Sequence, residues 1–197
     1  MLVLSWDFKP VNMIAGGDCS YDHHSQQIGA VVVVQKIPGF EIVEISHATR
    51  KVPIPYIPGF LNFREGPTLI QAFRQLKTKP DITLVDGNGI AHPRNMGLAS
   101  YVGVMLGTCT VGCAKKPFFL HENPGAERGE SCPYLNRKKE KVGICLRTRT
   151  GVKPIFVSPG HNIDIPTSKH FVLMCSRFKI PEPLRAAHQY ASQLFKT

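Results

Sequence analysis

The chain has 197 residues, 43% of them hydrophobic, with 24 Lys and Arg against 14 Asp and Glu for a net charge of +10. That length fits a single domain over residues 1–197 with a substantial core, and the hydrophobic content excludes a disordered chain. No apolar run approaches the roughly 20 residues of a membrane span, so no membrane partner is expected, whereas the positive balance favours a polyanion.

The opening stretch MLVLSWDFKP has neither a basic n-region nor a long apolar run, so no secretory signal is expected. Met13–Asp18 (MIAGGD) is a short apolar run that ends in two glycines and an acid. Ile28 to Gln35 (IGAVVVVQ) is the strongest strand signal, and Glu41–His47 is expected to pair with it across Pro38-Gly39, giving an antiparallel start. Lys51–Phe60 (KVPIPYIPGF) holds three prolines, which predicts a stiff exposed loop.

Asn62 to Lys77 reads as a helix with Phe63, Leu69, Ile70, Phe73 and Leu76 on its apolar stripe. Pro67 is tolerable there only in the first turn. Residues 82–86 form a buried strand, Gly97–Leu106 a short apolar helix, and Cys109–Ala114 another buried strand closed by Lys115 and Lys116. From Pro117 to Lys141 the pattern dissolves, which predicts an irregular, partly mobile insertion whose Arg128, Arg137 and Lys138 are solvated surface charge. Val142–Arg147 and Ile155–Ser158 resume as strands, Pro159-Gly160-His161 reads as a turn, and helices follow from near Pro166 and from Pro183 to Phe195. Together these predict an α/β fold, a mixed sheet flanked by helices.

Six cysteines (Cys19, Cys109, Cys113, Cys132, Cys145 and Cys175) form no CxxC and no zinc-like spacing. They read as free thiols in a reducing compartment, cytoplasmic or, in a eukaryote, nuclear.

Chemistry concentrates in DITLVDGNGIAHPRNMG (81–97). Its strand ends on Asp86, glycines follow at once, and Asn88, His92 and Arg94 come next; the carboxyl edge of an α/β sheet is where ligands bind. Asp18 ends its strand in the same way, and Glu65 is placed in the first turn of the helix after the proline loop. Three carboxylates at one edge repel one another and suit a hard cation such as Mg²⁺ or Mn²⁺. In a basic chain, that set points to metal-assisted attack on a phosphodiester. Each residue also has a plainer role open to it: a capping box for Glu65 with Asn62, a turn cap for Asp18, a structural ring for His92 or His161.

The motifs AGGDCSY (15–21), PYIPGFLNFRE (55–65), LVDGNGIAHPRNMGLAS (84–100), VGCAKK (111–116), SPGHNIDIPTS (158–168) and RFKIPEP (177–183) make the chain similar to the endonuclease V family, inosine-directed nucleases of ribonuclease H-like fold. The resemblance implies helices on both faces of the sheet and a metal set of Asp18, Glu65 and Asp86 that takes Mg²⁺, with Mn²⁺ as a substitute. It adds His161 at the edge of that set, with His92 and Lys115 as further catalytic groups. It makes Pro55, Tyr56, Ile57 and Pro58 a wedge inserted where the base has left the stack, and Gly59, Leu61, Gly87 and Leu98 the base pocket. The implied reaction is hydrolysis of the second phosphodiester 3′ to an inosine in DNA or RNA, leaving 3′-hydroxyl and 5′-phosphate ends. Tyr101 and Cys109-Thr110 depart from the usual pattern. Two other readings compete: a non-catalytic inosine-binding module, and a structure-specific nuclease of the same fold. A monomer is the default expectation.

Overall fold

Twelve elements make up the computed structural model, which describes residues 1–7 and 9–196. β1 (Met13–Asp22), β2 (Gln27–Lys36) and β3 (Glu41–Lys51) form an antiparallel meander, as the alternation of apolar runs and turns predicts. The Val31–Val34 run of β2 is wholly buried. Helix α1 (Leu61–Arg74), β4 (Ile82–Val85), α2 (Leu98–Leu106) and β5 (Thr110–Ala114) then add strands parallel to β1. Three more strands, β6 (Ser131–Leu135), β7 (Lys141–Leu146) and β8 (Ile155–His161), complete one eight-stranded sheet ordered β3-β2-β1-β4-β5-β8-β7-β6. Helices α3 (Ile165–Met174) and α4 (Glu182–Ala191) close the chain.

Helices cover both faces, as the fold class requires. Strand side chains alternate between faces, and the two core clusters separate accordingly. Ala15, Ala30, Val32, Val34 and Val85 pack against Leu69, Ile70, Leu98 and Val102 of α1 and α2. Ile14, Leu84, Val111 and Val157 pack with Phe171, Val172 and Leu184 of α3 and α4. Beyond α2 the first face is covered by loop residues Ile90, Ala91 and Phe119, packed with Tyr134 and Phe156.

Three local expectations are corrected. The 117–141 stretch is not wholly irregular: it contributes β6, and Tyr134 within it is fully buried. Its alternation was masked by the Pro, Gly and charged residues on either side of five short strand positions. Pro159-Gly160-His161 is not a turn, because β8 runs through His161, opposite Thr110 and Val111 of β5. Pro67 lies inside α1 beyond its first turn, where it forgoes one helical hydrogen bond.

Candidate active site

Register places two of the carboxylates. β1 and β4 run parallel with Gly17 opposite Val85, and the Asp86 N–H donates to the Gly17 carbonyl at 3.0 Å. Asp18 and Asp86 therefore leave neighbouring strands at the same level. The third, Glu65, comes from α1 and is only 8% exposed. It is no capping residue: Phe60 is the N-cap of α1, no side chain caps it, and Asn62 instead donates to the Met96 carbonyl.

Alternation along β1 sends Asp18 to the α4 face and Tyr21 to the α1 face, where the Tyr21 hydroxyl donates to Glu65 Oε1 at 2.7 Å. On the other face, α4 starts so close to β1 that a Cβ on Gly16 would stand 1.9 Å from the Pro183 carbonyl oxygen. Glycine there lets the helix press down and brings His188 over the sheet edge. Its Nδ1 lies 2.7 Å from Asp18 Oδ2, and the Cys19 N–H donates to the other oxygen at 2.8 Å. Lys115, the first residue after β5, completes the group with Nζ 2.5 Å from Asp86 Oδ2. A cleft of about 390 Å³ opens between Asp86, Lys115, Leu184, Arg185 and His188.

The electrostatics are those of crowded acids. Burial, and then the charge of Asp86, raise the Asp18 pKa. Burial lifts Glu65 to about 7; the Tyr21 hydrogen bond opposes it, and Asp18 and Asp86 add to it. Burial works to lower the Lys115 pKa, but its hydrogen bond to Asp86 and the charges of Asp86 and Asp18 outweigh that and raise it. Hard oxygen donors that disfavour one another's charge are what a divalent cation relieves, so the set fits Mg²⁺ or Mn²⁺. Among the described residues no three His, Cys, Asp or Glu already stand as a cation cage. Asp18 and Asp86 hold partners of their own, His188 and Lys115, which they would have to share.

Two predicted site histidines are not brought to the acids. His161 ends β8, which is antiparallel to β5, so it faces Thr110 at the opposite edge from Lys115. Its Nδ1 accepts from the Val3 N–H at 3.1 Å. Burial and the charge of the N-terminus lower its pKa. His92 serves the proline loop: its Nδ1 accepts from the Arg94 N–H at 3.2 Å, and Arg94 donates through Nη1 to the Gly59 carbonyl at 2.9 Å. Burial, then the charge of Arg94, lower the His92 pKa. His188 and Tyr21 are the groups that sequence reasoning missed. A signal for His188 existed: it lies four residues after Leu184 and three before Ala191, at the exposed margin of the apolar stripe of α4.

The proline loop is exposed as expected, with the Tyr56 residue 67% open to solvent. The Arg64 guanidinium stacks 4.5 Å over the Tyr21 ring and stands 5.9 Å from that of Tyr56. Gly59 adopts φ +81 beside His92 and Arg94, Leu61 opens α1, and a Cβ on Gly87 would sit 3.3 Å from Leu98.

With this geometry, the endonuclease V family model matches residues 2–189. Endonuclease V of Trichormus variabilis is 44% identical over 186 residues, covering 93% of this chain and 84% of its own. The chain belongs to the endonuclease V family. It is thus a nuclease. The crystal structure of endonuclease V from Streptomyces avermitilis superimposes with a TM-score of 0.92 at 38% identity, over 98% of this chain and 86% of that one. Endonuclease V of Ciona intestinalis, solved with a 24mer DNA containing an inosine followed by a ribo-adenosine, gives 0.87 at 28% identity, over 98% and 90%. All six cysteines are free, and no helix among the described residues is long and apolar enough to cross a membrane.

Proposed function

We propose that the chain is a divalent-metal-dependent endonuclease that hydrolyses the second phosphodiester 3′ to an inosine in DNA or RNA, leaving 3′-hydroxyl and 5′-phosphate ends. The observation that carries the reading is the parallel register that sets Asp18 beside Asp86, with Glu65 and Lys115 converging on them. A pure inosine binder has no use for three mutually repelling carboxylates at its phosphate-facing edge.

In this reading Asp18, Asp86 and Glu65 would hold Mg²⁺ or Mn²⁺, which when bound would supply activation of a water and neutralisation of phosphate charge. The chain's own groups do the rest. Lys115 is placed to meet the negative charge that develops on the scissile phosphate. His188 orients Asp18 by hydrogen bond, and Tyr21 does the same for Glu65. Tyr56, stiffened by Pro55 and Pro58 and flanked by Ile57, fills the gap in the stack. The displaced hypoxanthine enters beside Gly59, Leu61, Gly87 and Leu98, where backbone amides donate to its oxygen and reject adenine's amine. Free thiols are consistent with a cytoplasmic location.

The test is cleavage of matched oligonucleotides carrying one inosine in single-stranded RNA, single-stranded DNA or duplex DNA, with Mg²⁺ or EDTA and adenosine controls. Metal-dependent cutting at one fixed position beyond inosine is expected. Equal cutting of the adenosine strands, or none of any, overturns the reading.

A further inference from the structure

A second cavity, of about 840 Å³, lies away from the carboxylates, between Pro117–His121 and the β6–β7 turn, lined also by Leu135, Arg137 and Lys139. We propose that this groove carries unpaired nucleotides of the same strand that bears the inosine, so that the enzyme grips single-stranded flank as well as the inspected base. The proposal rests on the nucleic-acid reading above.

The groove is built and apolar on one side. The Tyr134 hydroxyl accepts from both the Phe118 and Phe119 N–H groups, at 2.7 and 2.8 Å, and so pins the loop after Lys116. Phe119 turns in against Tyr134, while Phe118, Leu120 and Leu135 turn out, exposed by 41%, 97% and 38%. Contiguous exposed apolar side chains are an unfavourable surface unless something covers them.

The other side is cationic. Asn136 Oδ1 accepts from the Lys138 and Glu140 N–H groups at 2.9 and 3.0 Å, and its Nδ2 donates to Glu140 at 2.7 Å, so the acid of this turn is held by Asn136. Arg137, Lys138 and Lys139 project outward, and among the described residues none of them is in an ion pair. Aromatic and apolar side chains flanked by unpaired cations match bases and phosphates of a single strand. A duplex keeps its bases stacked and has nothing to lay on Phe118.

Continuity selects nucleic acid over an acidic peptide. The Phe118 ring stands edge-on to His92 with centroids 5.0 Å apart, and His92 lines the Gly59 turn that ends the proline loop. The groove therefore starts where the candidate base pocket stops.

The test is fluorescence anisotropy of the full chain in EDTA with labelled inosine strands, short or lengthened by six thymidines on the 5′ or the 3′ side. Lengthening one flank is expected to tighten binding by about tenfold, and abasic lengthening by less. Leu120→Ser should abolish the base-dependent part. Arg137→Ala with Lys139→Asn, an exchange that suits the φ of +62 at that position, should lower the log–log salt slope by about 1.4, two phosphates' worth. Cleavage at saturating strand should stay unchanged in both variants. Length-independent binding on both flanks, or variants that weaken short and long strands equally, overturns the groove. Failure to prefer inosine over adenosine in the short strand would instead strike the function proposed above.

Discussion

The two edges of the central sheet each hold buried histidine or carboxylate chemistry, yet only one gathers carboxylates with cationic partners. At the carboxyl edge of β1, β4 and β5, Asp18 and Asp86 stand level, Lys115 bonds Asp86, and His188 reaches Asp18 from α4. At the opposite edge, His161 is 6% exposed and its ring is held by the Val3 N–H. The difference comes from strand direction. Three parallel strands deliver their last residues to one edge, and the antiparallel β8 delivers its last residue to the other. A histidine just after a strand thus belongs to a site only when that strand runs the right way.

The sharpest way to break this contrast is Asp86→Ala. It removes one of the carboxylates proposed to hold the cation and the partner of Lys115, so cleavage should fall by about 10³-fold or more, several kcal/mol of transition-state stabilisation. Binding of an inosine strand in EDTA should persist; retained cleavage would dissolve the special status of this edge. Next in size is the pair of histidines. His188→Ala should cut kcat about 10- to 100-fold while the melting temperature hardly moves, as expected when a group that orients a ligand is lost. His161→Ala should do the reverse, costing about 1–3 kcal/mol of stability through an orphaned N–H while kcat of the folded protein holds. Equal kinetic losses in both would refute the assignment of roles. Tyr56→Ala tests the loop proposed to recognise the base. Discrimination between inosine and adenosine should fall about tenfold, with the response to Mg²⁺ unchanged.

Much of the carboxylate edge was legible in the chain. Asp18 and Asp86 end short apolar runs beside glycines, Lys115 follows a buried strand, and the prolines around Tyr56 announce an exposed loop. These signals are local, so pattern reading reaches them. His188 was not reached, because its role depends on α4 lying across β1, a contact that the small Gly16 permits and no local pattern encodes. Tyr21 was missed for a related reason: it lies four residues past the two glycines, and only the strand alternation of a β1 that runs on to Asp22 aims it at Glu65. His161 misled because SPGH has turn composition, whereas pairing with β5 keeps it extended until the far edge. β6 was hidden by its flanks, and only the burial of Tyr134 against Phe119 and Phe156 reveals its inward face.

The smallest effect separates the two edges by acid alone. Burial and the N-terminal charge lower the pKa of His161 below its ordinary value of 6.5. Between that lowered value and 6.5 the unfolded chain binds the proton and the folded chain does not, so stability rises with pH across this window and is lost as pH falls through it. Protonation would also turn the Nδ1 acceptor into a donor and break the bond from Val3. His161→Asn keeps an acceptor near that N–H but cannot titrate. Thermal unfolding in EDTA from pH 7 to pH 5 should therefore show a shallower loss of melting temperature in His161→Asn than in the unmutated chain. His92, lowered in the same sense, remains in both proteins and cancels from the comparison. Parallel pH profiles would mean that the ring at the far edge binds its proton as readily in the fold as in the unfolded chain, and that the two edges differ less than their geometry says.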